Sequence, residues 1–185
     1  MNHKGTVQLE TERLILRRYT IGDPECIFRN WAQSEAVTKY LTWEPYRDIE
    51  DLKGYIQYCI DEYQKPDSYN WVIEHKEIGE PIGSISVIWI REDIASCEVG
   101  YCLGERFWGK GIMPEALAEV IRFLFEEVGM NRIQATHDAR NPNSGRVMEK
   151  CGMLYEGTMR QASRNNQGID DSVVRAVLKE DYLKG

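Results

Sequence analysis

The residues able to do chemistry gather between Glu98 and Ser144. Within GYCLGERFWGKGIMPEAL, Gly100 to Leu117, two phosphate patterns overlap. Gly104 to Lys110 reads G-x-x-x-x-G-K, the opening of a nucleotide-binding P-loop, while Arg106 to Gly111 reads R-x-x-G-x-G. A P-loop requires Ser or Thr after its Lys to ligate Mg²⁺. Here Gly111 follows Lys110. P-loops also belong to parallel β-α-β units, whereas this loop follows segments that read as an antiparallel meander. A dinucleotide fingerprint fails too, because Pro114 stands where its third glycine belongs. The shorter grip needs only what is present. Gly109 and Gly111 permit a tight turn, Arg106 and Lys110 offer cations, and a helix starting near Met113 presents its first N–H groups to an anion. Pro114, with no N–H to give, fits that first turn. The competing reading is a glycine-rich strand-to-helix connection with no ligand.

Two further groups stand near this loop in sequence. Glu98, in SCEVGYCL, shares one strand face with Gly100 while Val99 and Tyr101 point the other way, so it need not be buried with the core. A carboxylate there can take a proton directly or through a water, or it is a solvated strand carboxylate. In NPNSGRVMEKCG, Ser144 is a natural N-cap for a helix running to Cys151. Trp43 and Tyr46, in the polar loop LTWEPYRD, are either walls of a binding site or packing aromatics. His75 and His137 have no partner pattern and read as structural. The five cysteines lack a C-x-x-C pair or a His at ligand spacing, which points to unpaired thiols and no metal site.

The elements that must position these groups follow from periodicity. LILRRY reads as a strand leading through Asp23 and Pro24 into a helix near Cys26 to Gln33. Leu52, Tyr55, Ile56, Cys59, Ile60 and Tyr63 form a helical stripe, with Asp48 as its cap. YNWVIEH, IGSISVIWI and SCEVGYCL then read as three strands on short connections, hence the meander. Met113 to Val128 returns to helical spacing and stops at Gly129; RIQATHD is a strand, Ser144 to Cys151 a short helix, and LYEGTMRQA and DSVVRAVL a hairpin across RNNQG. No repeat or linker divides the 185 residues, so one α+β domain, 1–185, is expected. A formal charge of −7 argues against a nucleic-acid partner. No apolar run approaches the roughly 20 residues that span a bilayer, and the N-terminus has no signal core. A soluble cytoplasmic protein without a membrane partner is expected.

These segments together resemble the GNAT superfamily of acetyl-CoA-dependent N-acetyltransferases, and within it the ribosomal-protein N-terminal alanine/serine acetyltransferase group. The resemblance is carried by TERLILRRYTIGD, EVGYCLGERFWGKGIMPEAL, NPNSGRVMEKCGMLYEGTMR and LKEDYL, in that order over nearly the whole chain. It implies a mixed, mainly antiparallel sheet flanked by helices, whose splayed central strands admit the pantetheine arm of acetyl-CoA. It also implies a pyrophosphate on the Arg106 to Gly111 loop, including Trp108 and reaching Ile112. A backbone N–H near Tyr101, Cys102 or Leu103 would serve the acetyl oxygen, and the Asn141 amide would contact the pantetheine arm. Glu98 becomes the general base. Ser144 becomes the proton donor to the leaving thiolate, unless it is only the helix cap; Tyr155 is the weaker candidate for that proton. Trp43 and Tyr46 fall in segments that line the acceptor cleft. The implied reaction is direct acetyl transfer, in a ternary complex, to a primary amine, foremost a protein or peptide N-terminal α-amine. A small-molecule amine acceptor (a polyamine, amino sugar or amino acid) and a non-catalytic acyl-CoA-binding module are the alternatives. No metal is implied, and the chain would be a monomer or homodimer.

Overall fold

A computed structural model describes residues 1–184. Eight strands form one sheet in the order β1-β2-β3-β4-β5-β6-β8-β7. The chain enters through β1 (Leu9–Glu10) and β2 (Leu14–Arg17), then α1 (Pro24–Ile27), which continues as a wider π-type turn over Phe28–Ala32. Short α2 (Glu35–Thr38) and long α3 (Ile49–Glu62) precede β3 (Asn70–His75), β4 (Glu80–Arg91) and β5 (Ser96–Leu103), the expected meander. Next come α4 (Ile112–Phe123, extended by a turn to Val128), β6 (Arg132–Asp138), α5 (Pro142–Lys150), β7 (Leu154–Asn165), β8 (Gly168–Leu178) and α6 (Lys179–Tyr182).

Strand alternation sorts the side chains into two cores. On β3, Trp71 and Ile73 join Phe123 and Leu124 beneath α4, whereas Val72 joins Ile27, Trp31, Leu52 and Ile56 beneath α1 and α3. The aromatic stripe of α3 divides: Tyr63 is buried, but Tyr55 is exposed at the rim of the cleft described below.

Local capping follows the sequence in part. Asp48 accepts from Glu50 N and starts α3, and Ser34 accepts from Val37 N and starts α2. Asp23 makes no side-chain cap; it binds Arg17 through both carboxylate oxygens and accepts from Thr20 N. Ser144 is not a cap either. Asn141 holds the N-cap position of α5 and Pro142 the first helical turn, which places Ser144 inside the helix.

One pair of neighbouring strands is parallel, and it decides the architecture of the site. β5 and β6 are joined through α4 and pair only over Ser96–Glu98 with Arg132–Gln134. Beyond Glu98 and Gln134 the two strands separate, so the central strands are splayed as expected. The glycine loop therefore does sit in a parallel β-α-β unit, contrary to the expectation drawn from the meander. What separates it from a P-loop is the missing hydroxyl at Gly111 and the setting of this one β-α-β unit in an otherwise antiparallel sheet. Among the described residues no helix is long and apolar enough to cross a membrane.

Candidate active site

The splay between β5 and β6 opens into a cleft of about 970 Å³. Backbone alternation determines what the gap offers. Val87 N donates to Tyr69 O, just before β3, and Gly104 N donates to Ile82 O on β4. In antiparallel pairs successive residues turn their N–H and C=O to opposite sides. With Gly100, Cys102 and Gly104 turned to β4, the backbone groups of Val99, Tyr101 and Leu103 face the gap. Trp108 Nε1 donates to Leu103 O at 2.7 Å, consistent with that direction. A row of main-chain donors and acceptors without a strand partner thus lines one wall, ready to pair with an extended amide-bearing ligand.

At one end of the cleft lies the glycine loop. Gly109 and Gly111 adopt φ +74° and +73°, left-handed values that only glycine takes without strain, and Gly111 is the N-cap of α4. The Ile112 and Met113 N–H groups belong to the first turn, which a helix leaves unpaired. The loop is pinned from the other end of the sheet. Arg13 donates through Nη1 to Lys110 O at 3.0 Å and through Nε to Glu115 Oε2 at 2.7 Å, while Thr11 Oγ1 donates to Glu115 Oε1 at 2.5 Å. Burial pushes the Glu115 carboxyl up, but its Thr11 and Arg13 donors outweigh this and hold it below the usual range. Arg106 and Lys110 stand over the Phe107 ring, 5.8 and 5.7 Å from its centroid, outside the cleft wall itself. The cations on the wall near this end are Arg146 and Lys150 of α5, which the sequence reading did not single out.

Of the remaining coenzyme candidates, Tyr101, Cys102, Leu103, Trp108 and Asn141 line the cleft. Tyr101 Oη donates to Ser144 O at 3.0 Å and lies 3.1 Å from Ser144 Oγ. Having spent its one proton on the carbonyl, the phenol accepts from the Ser144 hydroxyl. Burial pushes the Tyr101 phenol up and keeps it neutral. Tyr155, by contrast, is 58% exposed on β7 and bonds Thr158. The tyrosine beside Ser144 is Tyr101, and only the fold brings them together.

Glu98 lies on the sheet face opposite Val99, as alternation requires, at the point where β5 and β6 part. Its Oε2 accepts from Gln134 Nε2 at 2.8 Å and its Oε1 from Thr136 Oγ1 at 3.3 Å. Thr136 lines the cleft, and Glu98 stands one hydrogen bond behind it. Opposite, β4 bulges between Val87 and Trp89. The bulged Ile88 covers Gly100, where an added Cβ would meet Ile88 Cδ1 at 2.9 Å.

The far end of the cleft is bounded by the segment from Ala36 to Trp43 and by the β7–β8 hairpin. Asn166, at the hairpin tip, donates from Nδ2 to Thr38 O (2.9 Å) and Trp43 O (2.8 Å), and from N to Leu41 O. Trp43 is on the cleft wall. Tyr46 packs against it, ring centroids 5.9 Å apart, behind the wall rather than on it. Among the described residues no three His, Cys, Asp or Glu side chains gather as a metal set.

The cleft can therefore hold an anion at its glycine end, an extended chain along β5, and a second reactant at the end framed by Trp43, Thr136 and the hairpin. Comparison with known proteins gives the family and the fold. A family model described as an acetyltransferase (GNAT) domain matches residues 13–154. The uncharacterized N-acetyltransferase YoaA of Bacillus subtilis (strain 168) is 33% identical over 92% of this chain and 96% of its own. The [ribosomal protein uS5]-alanine N-acetyltransferase of Escherichia coli (strain K12) is 27% identical over 97% of this chain and 94% of its own. In three dimensions, the microcin C7 self-immunity acetyltransferase MccE, solved with acetyl-CoA and AMP, superposes with a TM-score of 0.82 at 21% identity, covering 91% of this chain and 93% of that one.

Proposed function

Because the chain belongs to the GNAT family of acetyl-CoA-dependent N-acetyltransferases, we propose that residues 1–185 act as one catalytic domain that acetylates the N-terminal α-amine of a protein or peptide. The acceptor class is supported by the full-length similarity to the uS5-alanine N-acetyltransferase. The observation that carries the site assignment is the gap beyond Glu98 and Gln134, walled by backbone groups without a strand partner and closed at one end by the two left-handed glycines.

These features fit acetyl-CoA, whose bound form would supply a thioester-activated acetyl group. Gly109, Gly111 and the first turn of α4 would hold its pyrophosphate by backbone N–H groups and helix dipole. Arg106, Lys110, Arg146 and Lys150 would surround the phosphates with positive charge. The backbone of Val99, Tyr101 and Leu103, with the Asn141 amide opposite, would align the pantetheine arm. A gap-facing N–H of this strand would stabilise charge developing on the acetyl oxygen.

The chain's own groups then handle two protons. Glu98 takes the proton of the incoming amine through a water at Thr136, since Thr136 and not Glu98 faces the cleft. Ser144, its hydroxyl turning from Tyr101 Oη to the departing sulfur, gives the sulfur a proton and takes one back from solvent. Positioning supplies most of the acceleration, so few side chains are required.

The test is calorimetric titration with acetyl-CoA, with Mg-ATP as control, followed by turnover on peptides with a free or a blocked N-terminus. Acetyl-CoA binding and transfer to the free N-terminus alone support the proposal. Acetyl-CoA binding without turnover on any amine would leave a non-catalytic acyl-CoA-binding module. Binding of Mg-ATP alone would overturn the site assignment.

A further inference from the structure

Beyond Thr136 the cleft wall carries two buried carboxylates that the acetyl-transfer chemistry does not use. Asp138 closes β6 and is 5% exposed; Asp170, on β8, is 6% exposed. They are equipped differently. The Asp138 carboxylate receives Arg140 N (2.7 Å), the Arg140 guanidinium (2.6 Å from Nη2) and Asn165 Nδ2 (2.7 Å), and these donors, Arg140 foremost, pull it down to about 2. Asp170 Oδ1 is buried with no hydrogen-bond partner, although the residue lines the cleft. Among the described residues neither Lys39, Arg146 nor Lys150, the cationic side chains of the cleft wall, forms an ion pair with it. Arg140 pairs directly with Asp138, whereas Asp170 has no ion pair of its own among the described residues and keeps only a Ser163 hydrogen bond and the more distant Arg140 charge.

Register places this carboxylate in line with the reaction centre. Glu98, Gln134, Thr136 and Asp138 share one face of β5 and β6, and Ser172 on β8 is the partner of Asp138. Asp170 lies two residues further along the same face. At about 3.4 Å per strand residue, it stands on the order of 10 Å or more beyond the Thr136 hydroxyl, where the acceptor amine would enter.

We infer that Asp170 is the receptor for a second cation of the acceptor, an ammonium or guanidinium group carried roughly 10 Å from the amine that is acetylated. The inference rests on the amine-acceptor reading and deepens it. An unpaired buried carboxylate is costly, and a cationic partner inside a water-poor cleft removes that cost. Burial and the neighbouring Asp138 push the Asp170 carboxyl up and outweigh the Ser163 hydrogen bond and the Arg140 charge that oppose them, a strain that a bound cation relieves. The cation's source is either a basic side chain a few residues into a peptide or the far end of a small diamine.

Two measurements decide. Turnover is compared on an Ala-initiated peptide with Lys at its third position and on the same peptide with Gln there. Binding of 1,8-diaminooctane is compared with that of octylamine by calorimetry, which needs no turnover. Both are run on wild type and on Asp170→Asn, which keeps the side chain's shape. A preference for the doubly charged probe of about tenfold or more, which falls below about twofold in Asp170→Asn, supports the inference; a charge-assisted hydrogen bond has this magnitude. Preference in the peptide arm alone identifies a basic side chain, and in the diamine arm alone a small diamine. Asp170-dependent diamine binding with no peptide turnover upholds the inference while removing the peptide reading. Equal handling of singly and doubly charged probes by wild type overturns it, and needs no variant to fold. A preference that persists in Asp170→Asn overturns it as well.

Discussion

Tyr101 on β5 and Ser144 on α5 meet across the splay, Oη 3.1 Å from Oγ and 3.0 Å from the Ser144 carbonyl oxygen. This pair joins the two walls of the cleft and orients the serine hydroxyl. If Ser144 supplies the proton to the departing sulfur, Ser144→Ala lowers kcat by about 10²-fold, the usual size of a general-acid contribution. Tyr101→Phe, which leaves the Ser144 hydroxyl in place, has the smaller effect. Steady-state kinetics of the two variants, with KM for acetyl-CoA followed alongside, checks this. Wild-type kcat in Ser144→Ala would remove the proton-donor role and leave Ser144 a bridging residue.

Glu98 is held by Gln134 and Thr136 and stands away from the glycine end of the cleft. Glu98→Gln should lower kcat by about 10²–10³-fold and leave the Kd for acetyl-CoA within about twofold of wild type, because it removes a base and no coenzyme contact. Single-turnover rates and calorimetry separate the two effects. Unchanged turnover would sink the assignment of Glu98 as base.

Gly111 takes φ +73° at the N-cap of α4, and Gly79 takes φ +62° in the β3–β4 turn, away from the cleft wall. Alanine at either position is strained by about 1–2 kcal/mol. Both Gly111→Ala and Gly79→Ala should therefore lose a few degrees of Tm. Only Gly111→Ala should weaken acetyl-CoA binding, since only that backbone faces the proposed pyrophosphate. Equal affinity in the two variants would show that the loop serves the fold and not the ligand.

Asp138 makes stability depend on acid. Its folded-state value of about 2 lies below the ordinary carboxylate value of about 3.9. The ion pair's contribution is therefore complete above about pH 4 and is lost as pH falls through about 2. Arg140→Gln removes the main cause of the shift. Urea unfolding of wild type and variant between pH 2 and 6 should show a stability gap at pH 6 that closes toward pH 2. A gap independent of pH would mean that the pair contributes through packing alone.

Local pattern accounts for much of this molecule. The period-2 runs of β3 to β5, the stripe of α3 and the glycine that ends α4 are each written within a few neighbouring residues, because side-chain alternation and helical spacing are local properties. The same is true of the glycine loop, whose left-handed turns only glycine adopts freely, and of the face on which Glu98 lies. Capping was less legible: Asp23 and Ser144 have the right side chains for an N-cap, but Arg17 and Tyr101 engage them instead.

The sequence alone thus determined the elements, the glycine loop and the position of one carboxylate near it. Tertiary structure decided which groups meet. The departure of β5 from β6 after Glu98, the Arg13–Glu115 clamp on the loop, the Tyr101–Ser144 bridge and the juxtaposition of Asp138 with Asp170 all join residues tens of positions apart in the chain. Such pairings depend on strand order and on where two strands separate, and neither is set by the residues flanking the groups it brings together.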